Sequence, residues 1–339
     1  MSKFVASTRV LNTPQSVIGS ALKCNNKPIT SERLYVQNTL TIWKGLVYWK
    51  PAPDSISTVQ EYALEDSCHR YGAIEGDLGL LNAIHKKIQQ VNNLRNKRVM
   101  VTPGSNAAFV SSMVVLTDPG DEVILFAPYF FNHEMSIRLT GAIPVVVPPN
   151  MTNYQSSPTE LIKHITPKTK VVVLCNPSNP SGAVTGQAEV EEIQKICLDR
   201  GIWLISDEAY EDFVFDGQKH YSPDGPNVIN LYTMSKGSAM AVYPPYLDEF
   251  FGKTQDSFII HASHISQKMA ETMLHHNREV LRERVNSLQA FYFLIKLPNS
   301  LPADKWVQYI SEKHNVRLGT NGSIIQAGIV VILLLKDFV

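Results

Sequence analysis

Three residues in the middle of the chain have the types that move protons and electrons: Asp207, Tyr210 and Lys236. Asp207 closes an apolar run, and a carboxylate at the end of a buried strand is costly unless a cation or strong donors meet it. Lys236 follows another apolar run, 228–233, so an amine reaches the same region, either as a solvated loop residue or as a nucleophile. Upstream, NPSNPSG (176–182) sets Asn176 and Asn179 beside prolines that cannot continue a strand. Rigidity of that kind suits a ligand better than a bare connection. Pro103-Gly104-Ser105-Asn106-Ala107 opens a helical stretch whose free amides could hold a phosphate or simply form a cap. Pro128, Tyr129 and Phe130 bring aromatic rings to a further strand end, where core packing competes with a role as a flat platform.

The elements around these residues follow one rule. Short β-branched runs at 98–102, 122–127, 143–147, 170–175, 202–206 and 228–233 alternate with helical patterns at 106–117, 132–140 and 187–199. Several runs are apolar on consecutive residues, as in strands covered on both faces. The alternation predicts an α/β fold with a mostly parallel sheet sandwiched by helices. In such a sheet ligands collect beyond the carboxyl ends of the strands, and every residue named above follows one.

The flanks read differently. Residues 1–40 suggest an N-terminal arm, 41–245 a large domain, and 246–339 a smaller and incomplete α+β domain. Pro51 and Pro53 predict an extended connection. A long helix is expected over 263–288, then a strand at 291–297 and a helix at 302–314.

Composition narrows the function classes. The 339 residues are 44% hydrophobic and 18% charged, an ordinary globular balance. Lys+Arg and Asp+Glu are both 31, which argues against the broad basic surface of a nucleic-acid binder. Cys24, Cys68, Cys175 and Cys197 form no C-x-x-C pair and read as reduced thiols of a cytoplasmic protein. Neither a secretory leader nor a membrane span is expected. No metal site is expected from His261, His264, His275 and His276, because no acid or cysteine stands at ligand spacing. Gly252-Lys253-Thr254 lacks the first glycine of a P-loop.

One ligand would use all the groups gathered above. It needs a phosphate for the helix start, a ring for the aromatic plane and an acceptor oxygen for Asn179 and Tyr210. It also needs a basic ring nitrogen for Asp207 and an aldehyde for Lys236. Pyridoxal 5'-phosphate has each of these.

The motifs NPSNPSG (176–182), SDEAY (206–210) and TMSK (233–236), with HRYGAIEG (69–76), VTPGSNAAF (101–109) and APYFFNH (127–133), resemble those of class I/II pyridoxal-phosphate aminotransferases of fold type I. The resemblance is strongest to the branch acting on aromatic amino acids and methionine. It implies that Lys236 forms the Schiff base with the cofactor and shuttles the substrate α-proton. Asp207 would pair with the ring nitrogen, and Asn179 and Tyr210 with the ring oxygen. Phe130 would stack on the ring, and Ser105, Asn106 and Thr233 would bind the phosphate. Tyr71 would reach the phosphate of a neighbouring subunit in a homodimer, and Gly45, with Asn179, would lie near the substrate. The implied reaction is ping-pong transfer of an amino group from an amino acid to a 2-oxo acid.

Two expected arginines have no counterpart. One would clamp the phosphate after Lys236, on a strand that the sequence of 237–245 does not suggest. The other would pair with the substrate carboxylate near the C-terminus. Three readings therefore stay open: a transaminase, a carbon–sulfur β-lyase or cyclopropane-forming synthase of the same fold, and a member of the fold without catalysis.

Overall fold

The computed structural model describes residues 7–14, 40–41, 51–234, 240–275, 278–286, 293–296, 305, 309, 316–317 and 329–332. The chain begins with α1 (Thr8–Asn12), β1 (Leu40–Thr41), α2 (Pro53–Tyr62) and α3 (Leu78–Gln90). An alternating stretch follows: β2 (Arg98–Met100), α4 (Ser105–Leu116), β3 (Glu122–Phe126), α5 (Phe131–Thr140), β4 (Ile143–Val147) and α6 (Pro158–His164). It continues through β5 (Thr169–Cys175), α7 (Gln187–Asp199), β6 (Trp203–Asp207), β7 (Val228–Tyr232) and β8 (Met240–Tyr243). Beyond these come α8 (Asp248–Phe258), α9 (His264–His275), α10 (Arg278–Asn286), β9 (Phe293–Lys296), β10 (Val316–Arg317) and β11 (Ile329–Ile332).

Seven strands form one sheet in the order β2-β8-β7-β6-β5-β3-β4. All pairs from β7 to β4 are parallel, whereas β8 is antiparallel to both of its neighbours. Alternation along β5 shows why its run is apolar throughout. Val171 and Val173 pack with Phe109 of α4, Ile137 of α5 and Phe251 of α8. Val172 and Leu174 face the other way, onto Leu161 of α6 and Val190 and Ile193 of α7. Each such buried aliphatic side chain contributes about 1.5–3 kcal/mol relative to exposure. Covering both faces in this way is what the uninterrupted β-branched runs predict.

Three expectations are corrected. Pro53 begins a helix instead of extending a connection; it occupies the first helical position, where its missing N–H costs nothing. A strand does follow Lys236: β8 fills the place between β2 and β7, and Ala241, Val242 and Tyr243 are fully buried there. The long helix expected over 263–288 is described as two, α9 and α10, with 276–277 outside the described residues.

Within 246–339 the described residues form helices and the antiparallel pair β9–β11, while β10 pairs in parallel with β1 of the N-terminal region. Residues 305 and 309 are helical, within the helix expected over 302–314. Gly252-Lys253-Thr254 lies inside α8, which removes any phosphate-loop geometry from that tripeptide.

Candidate active site

Strand order gathers the loops that carry the chemistry. In register, Asp207 stands opposite Cys175 on β5 and Leu231 on β7. Three neighbouring strand ends therefore release Asn176 and the NPSNPSG loop, the turn after Asp207, and Thr233. On the far side of β5, β3 sends out Pro128–Phe130. Two successive antiparallel pairings make β2 run in the same direction as β7, so Gly104, Ser105 and Asn106 leave from this edge as well.

Asp207 is 4% exposed. Its Oδ2 lies 2.9 Å from Nε2 of His133, and its Oδ1 accepts the Ala209 N–H at 3.2 Å. A carboxylate can only accept, so this geometry fits a proton on Nε2 of His133. The imidazole is itself locked, 4.4 Å from the Phe109 ring and edge-on to Phe130 at 5.4 Å. His133 is the functional residue that sequence reasoning missed. It stands within the quoted motif APYFFNH, but 74 positions separate it from Asp207.

The NPSNPSG loop divides its labour. Asn176 is 1% exposed and tied to Thr185 in both directions, its Nδ2 donating to the Thr185 carbonyl at 3.1 Å and its Oδ1 accepting the Thr185 N–H at 2.9 Å. Gly182 turns the loop at φ +71°, a conformation that disfavours a side chain, and its N–H reaches the Ser178 carbonyl at 2.8 Å. With the loop so fixed, Asn179 Nδ2 donates to the Tyr210 hydroxyl at 3.3 Å. The Tyr210 ring is buried against Phe213 and Val285, the latter supplied by α10.

Ser105 opens α4 behind Gly104, whose φ of +84° and missing side chain leave the helix start without a side-chain cap. Asn106 is exposed and Ser105 half-buried. Phe130 is half-buried and precedes α5, whereas Tyr129 is core and donates to Glu134 at 2.8 Å. Thr233 is buried directly after β7. Tyr71 is 82% exposed, its ring edge-on to His261. Lys236 and Gly45 lie outside the described residues. His264, with no acid at ligand spacing in the sequence, pairs with Asp77 at 2.7 Å across 187 positions.

Behind the turn that holds Asp207 and Tyr210, Glu208 and Glu211 point into a buried polar network. Lys87 Nζ lies 2.5 Å from Glu211, and Asn92 Nδ2 donates to the same carboxylate at 2.8 Å. Glu208 accepts from Asn230 at 2.7 Å and from Ser222, and stands 2.7 Å from His220. Burial alone would lower the His220 pKa, but the hydrogen bond and charge of Glu208 and the charge of Glu211 outweigh it, leaving the value raised. A raised histidine pKa stabilises the fold fully below the unfolded value and stops doing so as pH climbs through the folded one. The melting temperature should therefore fall as pH rises from about 6.5, and His220→Gln should remove that part of the slope. Melts of both proteins across this range would refute the assignment if their slopes matched.

The sheet order and flanking helices define a fold type I architecture. An aromatic aminotransferase from Pyrococcus horikoshii superposes with a TM-score of 0.81 over 89% of this chain and 93% of its own, at 24% identity. The aspartate aminotransferase of Rhizobium meliloti gives 0.83 over 97% and 94%, at 21% identity. In sequence, Aromatic aminotransferase ISS1 of Arabidopsis thaliana is 31% identical over 91% of this chain and 86% of its own length. An aspartate aminotransferase of Pyrococcus abyssi is 34% identical over 51% of this chain and 46% of its own. The description Aminotransferase class I and II matches residues 48–292. The chain belongs to that family, whose members are pyridoxal-phosphate-dependent transaminases.

Proposed function

We propose that this protein is a pyridoxal-phosphate-dependent aminotransferase that moves an amino group from an aromatic or methionine-like amino acid to a 2-oxo acid. The observation that carries the reading is the buried Asp207 carboxylate, held by His133 at the end of the strand whose turn carries Tyr210, beside the strand end whose loop brings Asn179 to that hydroxyl. The donor set fits the cofactor: a buried acid for a ring nitrogen, an amide and a phenol for a ring oxygen, and an uncapped helix start for a phosphate. When bound, pyridoxal phosphate supplies an aldehyde and an electron-withdrawing ring.

The chain's own residues do the rest. Asp207 would pair with the cofactor's ring nitrogen, and His133 holds that carboxylate oriented. Asn179 and Tyr210 would hydrogen-bond the ring oxygen, and Phe130 would stack on the ring. Ser105, Asn106 and Thr233 would hold the phosphate, together with the α4 amides. Lys236 Nζ would carry the proton from the substrate α-carbon to the cofactor. Gly45 would lie near the substrate by the resemblance alone. The exposure of Tyr71 supports a role toward a second subunit, in a homodimer. Free thiols at Cys68, Cys175 and Cys197 support a reducing, cytoplasmic setting. Among the described residues no helix is long and apolar enough to cross a membrane.

The resemblance to Aromatic aminotransferase ISS1 supports the choice of donor. Titrating purified protein with pyridoxal phosphate should raise a visible absorption band. An aromatic amino acid or methionine should remove it, and a 2-oxo acid should bring it back. Release of ammonia or thiol without any 2-oxo acid acceptor would replace this reading with the lyase one, and absence of a band would end both.

A further inference from the structure

We infer that Lys87, Glu208, Glu211 and His220 form a positioning network that holds the Asp207–Tyr210 turn in register from behind. The inference rests on the aminotransferase reading and extends it to residues that touch no cofactor. Side chains around this turn divide between two sides. Asp207 meets His133 and Tyr210 meets Asn179, whereas Glu208 and Glu211 are 1% and 7% exposed in the network described above.

Two buried acids so close together would repel each other, and each would be costly alone. The Lys87 ammonium lies against Glu211, and Glu208 and Glu211 together raise the pKa of His220, which lies 2.7 Å from Glu208. The partners come from distant parts of the chain. Lys87 and Asn92 approach from α3 and the residues just after it, 124 and 119 positions away from Glu211. His220 and Ser222 come from the segment before β7, and Asn230 from β7 itself. Lys87 Nζ also sits 3.9 Å from the centre of the Tyr232 ring. A short turn thus becomes anchored to a helix, a loop and the sheet at once. Asp212, Lys219, Asp224 and Arg282 are the other charged groups, lining an adjoining cavity of about 530 Å³.

A metal reading of the same atoms is weaker. Ligand atoms of Glu208, Glu211 and His220 lie within 4.8 Å of one another. Lys87 and Asn92 already engage the two oxygens of Glu211, however, and Asn230, Ser222 and His220 engage those of Glu208. A divalent ion would have to displace an ammonium that already neutralises the site.

The decisive variant is Lys87→Met/Glu211→Gln, which removes both charges of one pair and leaves no lone buried ion. Circular dichroism and a melt establish its fold; pyridoxal phosphate affinity and the pH midpoint of the visible band report on the cofactor side. Affinity should fall about five- to tenfold, the size of one displaced hydrogen bond, and the midpoint should shift. A folded variant with unchanged affinity and midpoint, whatever its melting temperature, overturns the inference alone. A wild-type chain that takes up no cofactor overturns the underlying reading and this inference with it. Should the double variant not fold, His220→Gln is read by the same two quantities, and their constancy is equally decisive against it.

Discussion

Asp207→Asn is expected to leave the protein folded and to reduce transamination by about 10²–10³-fold, the range found when a preorganised electrostatic partner is removed. Asparagine has the shape of aspartate and can still accept from His133, so the packing around Phe109 and Phe130 should survive. What it lacks is the charge that favours a proton on the cofactor ring nitrogen. Its amide would present a donor where the ring nitrogen also needs to donate. The expected signature is a large fall in kcat with a smaller change in cofactor affinity. Near-wild-type kcat for a folded Asp207→Asn protein would remove Asp207 from the proposed mechanism.

Lys236→Ala should have the largest effect of all. It removes both the amine that links to the aldehyde and the base that carries the α-proton. General acid–base catalysis alone is worth about 10²–10⁴-fold. Turnover should become undetectable, and added pyridoxal phosphate should no longer give the visible band of the wild-type protein. The distinction from Asp207→Asn is spectroscopic: one variant should keep the band and lose rate, the other should lose both. Full turnover in Lys236→Ala would refute the assignment of the amine.

The elements that position the site were legible because parallel strands buried on both faces leave an unambiguous trace. Runs such as Val171–Leu174 cannot be amphipathic when α4 and α7 cover opposite sides. The strand ends then named Asn179, Asp207 and Tyr210 without coordinates. β8 escaped because it is four residues long and lacks the arginine that the resemblance leads one to expect on that strand. Its place is set by β7 just before it and by the distant β2, and no local pattern encodes the second of these. Pro53 was misread because a proline both ends extended segments and starts helices, and the ten residues after Ala52 decide between them. His133 and the Lys87–Glu211 pair were invisible for the same reason as β8: their meaning is a partner 74 or 124 positions away.

The placement of β8 has a consequence for how the chain assembles. β2 is the first strand of the large sheet in sequence, yet its neighbour there is β8, the last to be made, with Arg98 paired to Tyr243. During synthesis β2 must wait, unpaired, until residue 243 has left the ribosome. Closing so wide a loop is slow, and the exposed edge meanwhile invites wrong partners. Nascent chains stopped short of residue 240 should therefore depend on chaperones more heavily than chains released after it.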